Sequence, residues 1–317
     1  MKKTRHVIIF LLLMLIVSVL LGLRIGAVKL PLSELFLAEN YGILKLRIFR
    51  IILAIIAGAG LSISGVALQA ILKNPLAEPY ILGVSSGAAT GAVLGIILGL
   101  SETFQPILAF ATAILTIFIV IYLAKSNGVI SIQSLILIGV IIGVILAGIT
   151  TFLISVSSSE ALHGIIWWLL GSLQVFSLKL LTVVFVFTMA GISAIWFFSQ
   201  DLNAMSLGED EAKHLGINTE KTKIILIAAC SLITAGIVSC CGIIGFVGLI
   251  IPHISRLLVG QNHRHLIPVA FLGGAAFMVI CDLISRAVLY PVDLPIGVIT
   301  SLIGGPILIA LLKFKGS

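Results

Sequence analysis

Residues 48–72 read IFRIILAIIAGAGLSISGVALQAIL, twenty-five residues that hold a single charge, Arg50. A helix crossing bilayer hydrocarbon needs about 20 apolar residues. A strand in a lipid-facing barrel would alternate apolar and polar side chains, and this stretch does not. Because hydrocarbon offers no partner to backbone N–H and C=O groups, a helix satisfies them where an extended chain cannot. The stretch reads as a membrane-spanning helix.

Nine further runs have the same character: Val7–Gly26, Gly83–Leu100, Pro106–Ala124, Ser134–Val156, Leu178–Phe198, Ile224–Cys240, Ile243–Leu258, Leu266–Leu289 and Ile296–Leu312. The run from Ile243 is short, as a tilted or partly buried span would be. The expected fold is therefore an all-α integral membrane protein of about ten spans, a single membrane domain over residues 1–317. The whole composition agrees, with 60% hydrophobic and 10% charged residues in 317 and a mean hydropathy of +1.29, more apolar surface than a soluble core could bury.

The start, MKKTRH before an apolar run, resembles a signal peptide, but no A-x-A site follows it, so a retained first span is expected. With both termini inside, Lys and Arg divide twelve inside to seven outside, in accord with the positive-inside rule. The net charge of +7 then follows from basic residues at inner membrane ends, without a nucleic-acid partner. Four cysteines, Cys230, Cys240, Cys241 and Cys281, lack metal-ligand spacing and read as small packing residues.

Charge collects in one internal segment. Residues 201–223 hold eight of the 31 charged residues. Gly208 and Gly216 bracket about two helical turns, and Leu207, Ala212 and Leu215 fall near one face. The topology places this loop in the cytoplasm, where a short helix lying against a soluble partner is expected.

Irregular blocks interrupt the spans. Asn74-Pro75-Leu76-Ala77-Glu78-Pro79 must break a helix, since two prolines four apart cannot both continue it, and serves as a turn or as part of a gate. Gly242 to His253 is glycine-rich and leads to Arg256. Asp282 and Arg286 are four apart and can pair along a helix face. Arg47 and Arg50 share a face at the outer end of their span, to snorkel or to meet an acidic protein surface. Gly83, Gly87, Gly91, Gly95 and Gly99 form a stripe for close helix packing. The segment with Trp167 and Trp168 suits a short helix at the outer interface.

Taken in order, LRIFR (46–50), LQAILKNPLAEPYILGVSSGA (68–88), LGEDEAKHLGIN (207–218), GIIGFVGLIIPHISRLLVG (242–260) and DLPIGVITSLIGGPILIALL (293–312) resemble the permeases of ATP-binding-cassette (ABC) importers for iron siderophores, haem and vitamin B12. The likeness covers nearly the whole chain. It implies a B12-permease-like (type II importer) fold in the bacterial or archaeal cytoplasmic (inner) membrane, with a second permease copy or a paralogue completing the pathway. It implies that Leu207, Gly208, Glu209, Asp210, Glu211, Ala212, Lys213, His214, Leu215 and Gly216 couple the chain to cytoplasmic ABC ATPase subunits, which would bind ATP and Mg while this chain carries no cofactor. It further implies that Arg47, Arg50 and Arg286 meet an extracytoplasmic substrate-binding protein, and that Asn74, Leu76, Ile132 and Gln133 contribute to a cytoplasmic gate. One departure is Phe49, where the family often has proline, as in L-R-L-P-R.

The reading expected is an importer permease for an iron chelate, a ferric siderophore foremost, driven by a separate ATPase. No G-x-x-x-x-G-K-[ST] loop occurs in the chain. An ion-coupled secondary transporter is the alternative, but it usually carries acids or histidines at mid-membrane, and Glu78, Asp282 and Asp293 fall near span ends. An embedded enzyme would need a nucleophile and base or an H-E-x-x-H pair, which the sequence lacks.

Overall fold

The computed structural model describes residues 2–26, 37–126, 128–174, 177–289 and 292–315. Among them are thirteen α-helices: α1 (Lys2–Arg24), α2 (Tyr41–Ile71), α3 (Val84–Ile97), α4 (Phe104–Ala124), α5 (Ile132–Ser155), α6 (Ser159–Leu170), α7 (Leu178–Phe197), α8 (Ser199–Leu207), α9 (Glu209–His214), α10 (Thr219–Cys241), α11 (Val247–Val259), α12 (His263–Ala287) and α13 (Ile296–Lys315). Two-residue strands, β1 (Lys125–Ser126) and β2 (Val129–Ile130), pair antiparallel between α4 and α5.

Local sequence signals set several starts. Ser131, Ser158, Ser177 and Asn218 cap α5, α6, α7 and α10, each accepting the N–H three residues on. Such caps satisfy a donor that the first helical turn leaves open.

The ten expected spans correspond to ten apolar helices, and among the described residues seven of them, α1, α2, α4, α5, α7, α10 and α12, are long and apolar enough to cross a membrane. Three of the ten, α3, α11 and α13, fall outside that set. α3 has 14 residues and α11 has 13, about 21 and 20 Å at 1.5 Å per residue, against a hydrocarbon core of about 30 Å. α13 runs for 20 residues, about 30 Å, and its described apolar part is Ile296–Leu311. Their backbone ends are satisfied inside the protein instead. Ile296 N–H donates to Gly171 O (3.1 Å) and Ser172 N–H to Cys241 O (2.7 Å), so the ends of α6 and α10 and the start of α13 meet. Gly242 and Gly171 take positive φ there, and any side chain on Gly242 would overlap Trp168 O.

α2 is the central element. It begins at Tyr41, seven residues before the expected start, and runs unbroken through the arginine block, with Phe49 buried. Leu53, Leu61, Ile63 and Val66 are buried along its length, and it packs on α12, α10, α11 and α7. Two glycine pairs make this possible: a methyl group on Gly58 would overlap the backbone of Gly274 in α12, and one on Gly65 that of Gly248 in α11. Without a hydrophobic drive between helices in lipid, such close backbone approach is the main source of attraction. The glycine stripe of α3 does the same at only two of its five positions, Gly87 and Gly91, which abut Thr116 and Thr112 of α4. Gly83 and Gly99 instead take positive φ at the helix ends.

Candidate functional site

The charged segment 201–223 folds as two short helices and the start of α10. The chain breaks at Gly208, which shifts the register between α8 and α9. The expectation that Leu207, Ala212 and Leu215 share a face is thereby corrected: Ala212 is fully buried against Ala204, Met205 and Ile217, whereas Leu207 and Leu215 are 76% and 67% exposed. Asp210, Glu211, Lys213, His214 and Gly216 are exposed with them, Gly208 is buried and Glu209 lies between. Asp210 and Lys213 pair at 3.2 Å on the surface, where such a contact contributes little.

The underside of this segment is tied to the bundle at three points. Thr222 Oγ1 donates to Asp201 Oδ2 (3.2 Å), joining α8 to α10. His263 N–H donates to Asn203 Oδ1 (2.8 Å), joining α8 to α12. Lys223 Nζ, nearly fully buried, donates to Glu209 (3.3 Å), Glu220 (2.5 Å) and Ile130 O (3.1 Å). The outcome is a rigidly seated surface that presents two bare leucines among charges.

Of the four expected gate residues, Leu76 and Gln133 are exposed, while Asn74 and Ile132 are half-buried. Asn74 Oδ1 accepts Leu76 N–H (2.9 Å), a local turn that stabilises the break after α2. That break is braced against the second irregular block. Phe246 N–H, at the start of α11, donates to Glu78 Oε1 (2.7 Å), and Tyr80 exchanges hydrogen bonds with Ile244. Burial raises the Glu78 carboxyl above its ordinary range, opposed in part by this hydrogen bond. Gln69 donates to Ala77 O and Gly248 O and accepts from Arg256. The sequence marked both blocks as irregular but could not show that they touch.

The three arginines expected to meet a binding protein do not project from the surface. Arg47, 5% exposed, donates to Leu23 O (2.5 Å) and Arg24 O (3.3 Å). Arg286 donates to Ile25 O (2.7 Å) and Gly22 O (3.2 Å) and pairs with Asp282 at 2.7 Å. Both thus cap the carbonyl end of α1, where positive charge is favoured. Arg50 lies 2.5 Å from both Asp282 and Asp293. Its side chain is 13% exposed, against 3% for Arg286, and it borders a cavity of about 420 Å³ with Trp167, Gln174 and Asp293. This placement has a physical reason: an arginine at a packed helix end is stabilised by fixed carboxylates and carbonyls.

Residues missed by sequence reasoning include Lys223, Glu220, Gln69 and Tyr80. A signal existed for Lys223, a lysine at the head of an apolar run with Glu220 three residues earlier, which permits an i,i+3 pair.

Comparison with known proteins accounts for this arrangement. The profile of the FecCD transport family matches residues 14–314. A Bacillus subtilis relative, the ABC transporter permease protein YvrB, is 38% identical over 92% of this chain and 88% of its own. A cobalamin import system permease protein of Halobacterium salinarum is 40% identical over 84% of this chain and 72% of its own. The solved structure of an inward-facing conformation of a metal-chelate type ABC transporter aligns with a TM-score of 0.89 at 35% identity, covering 98% of this chain and 99% of that one. The chain belongs to the FecCD transport family. It is accordingly a multi-pass membrane protein of the ABC importer permease class, a transport subunit rather than a catalytic enzyme in its own right.

Proposed function

We propose that this chain is the membrane-spanning subunit of a binding-protein-dependent importer that carries an iron chelate, a ferric siderophore before haem or cobalamin. Two permease subunits, identical or paralogous, enclose the pathway, and a cytoplasmic ABC ATPase that binds ATP and Mg docks on α8 and α9. The observation that carries this reading is the surface at residues 206–216. Leu207 and Leu215 are bare, yet the helices beneath them are pinned to α10 and α12. An apolar knob on a rigid base suits a partner that must push, because displacement there is transmitted rather than absorbed.

At the opposite end of α2, the binding protein meets a rim shaped by Arg47, Arg50 and Arg286. Arg50 is the one that opens to the cavity, and an acidic residue of the binding protein would take over from Asp282 or Asp293. Asn74 and Leu76 after α2, with Ile132 and Gln133 at the start of α5, form the gate nearest the ATPase. An ion-coupled mechanism gains no support from any relative.

The test is uptake into proteoliposomes holding the permease, its ATPase and its binding protein. Ferric siderophore, haem and cyanocobalamin are offered in turn with internal ATP. ATP-dependent accumulation of the ferric siderophore is expected. Accumulation of one of the others alone would overturn the cargo, and accumulation driven by an ion gradient without ATP would overturn the class.

A further inference from the structure

Lys223 stands at the head of α10 with its ammonium almost wholly removed from water, and three elements converge on it. Its own helix supplies Glu220, at 2.5 Å. The hairpin before α5 supplies Ile130 O, at 3.1 Å. α9 supplies both oxygens of Glu209, at 3.4 and 3.3 Å. Glu220 closes the arrangement by accepting Ile130 N–H at 2.9 Å. Ile130 is therefore held through both its N–H and its C=O, two residues before α5 begins at Ile132.

A buried ammonium is costly unless it is paired and its donors are used, and here each of its three N–H groups has a partner. Isolated helix surfaces offer no such reason to place a lysine inside. The partners differ in strength. Charge-assisted N–H···O bonds are strongest near 2.7–2.9 Å, so the ammonium is held tightly by Glu220 and more loosely by Glu209. Lys223, Glu220 and Ile130 are bonded into one block spanning the head of α10 and the chain just before α5. Among the described residues, Glu209 is the α9 side chain that hydrogen-bonds to this block, at Lys223.

We infer that Lys223 is a positioning residue that transmits displacement of α9 to the start of α5, with the Glu209 contact as the releasable link. The inference rests on the proposed docking of an ATPase at α8 and α9, and it adds the route by which that docking reaches Ile132 and Gln133. With the latch closed, α9 and the start of α5 travel as one body. With Glu209 neutralised, α9 still follows the ATPase but α5 no longer follows α9.

The experiment uses the complete permease–ATPase complex. Spin labels are placed at Lys213→Cys and Gln133→Cys, both exposed positions, after replacement of the four native cysteines. Their separation is measured without nucleotide and after trapping with MgATP and vanadate, in the parent and in Glu209→Gln. Gln is isosteric with Glu and leaves Lys223 its bonds to Glu220 and Ile130 O, so the variant folds. The expected result is an unchanged separation in the parent and a shifted, broadened one in Glu209→Gln upon trapping. Lys223→Met gives the same shift, and adding Glu209→Gln to it produces nothing more. A separation that shifts in the parent, or that stays fixed in Glu209→Gln, overturns the latch. Failure of the parent chain to retain the ATPase overturns the docking reading itself, which is a separate observation made before any label is read.

Discussion

Asp282 of α12, fully buried, lies 2.5 Å from Arg50 of α2 and 2.7 Å from Arg286 one turn along its own helix. One carboxylate thus serves two guanidiniums, and through Arg286 it also fixes the end of α1. Asp293 shares the load at Arg50 and is itself held by Gln174 at 3.2 Å. Replacement by Asn keeps the shape and removes the charge. Breaking a buried ion pair from one side costs about 3–5 kcal/mol, because the partner charge is left uncompensated. Asp282→Asn is expected to lower the melting temperature of the purified chain markedly, and an unchanged melt would show that the arginines find water or other partners.

Gly65 and Gly58 should be intolerant of a single methyl group. At each the added carbon would meet the backbone of the facing helix, and backbone cannot rotate away as a side chain can. Overpacking costs about 1–3 kcal/mol and sometimes more. Gly42→Ala, where nothing lies within 4 Å, is the matched control and should be neutral or slightly stabilising. Thermal melts in detergent compare the three, and equal melting of Gly65→Ala and Gly42→Ala would refute the close approach.

Glu78 links the break after α2 to the start of α11. Removing its acceptor by Glu78→Ala leaves Phe246 N–H unpaired at a partly buried site, at a cost of about 1–3 kcal/mol. Glu78→Gln keeps an acceptor and loses only the charge. Burial raises the folded-state value of this carboxyl above the ordinary 4.5, so the folded chain binds the proton more tightly than the unfolded chain. Stability from this group is present at low pH and declines as pH rises from the ordinary value through the raised one. Glu78→Gln should flatten that decline in melting curves taken across this range, and a parallel pH dependence in both proteins would rule the group out as its source.

Leu207 and Leu215 contribute nothing to the interior, so Leu207→Asp with Leu215→Asp should leave the melt of the isolated permease unchanged. Co-purification with the ATPase should fall at least about tenfold, since losing even one well-packed apolar contact is worth that much at an interface centre. Ala212→Leu should do the opposite in kind, disturbing the fold of the segment, because Ala212 is packed with no space remaining. Full ATPase retention by the double aspartate variant would move the docking surface elsewhere.

Much of the membrane architecture is legible in the chain. Ten apolar runs map onto ten apolar helices because hydrocarbon imposes the same requirement on each, and the block at 74–79 does mark a break between helices, whereas in the block 242–253 residues 247–253 already belong to α11. The two short helices, α3 and α11, were less legible. Apolar length in sequence includes residues that turn aside once glycine permits it, as at Gly83, Gly99 and Gly242. The charged segment was visible as a surface, but the break at Gly208 shifted its register, which reversed the side taken by Ala212.

Sequence by itself determined that this chain lies in a bilayer as a helical bundle and that residues 201–223 form its charged surface, since composition and hydropathy act locally along the chain. Tertiary structure alone decided the partners of the buried charges. Arg50 meets Asp282 and Asp293 across more than 230 residues, and Lys223 meets Ile130 across 93. An ion in a low-dielectric interior is stabilised only by groups within a few ångströms. Which groups those are depends on how the helices pack.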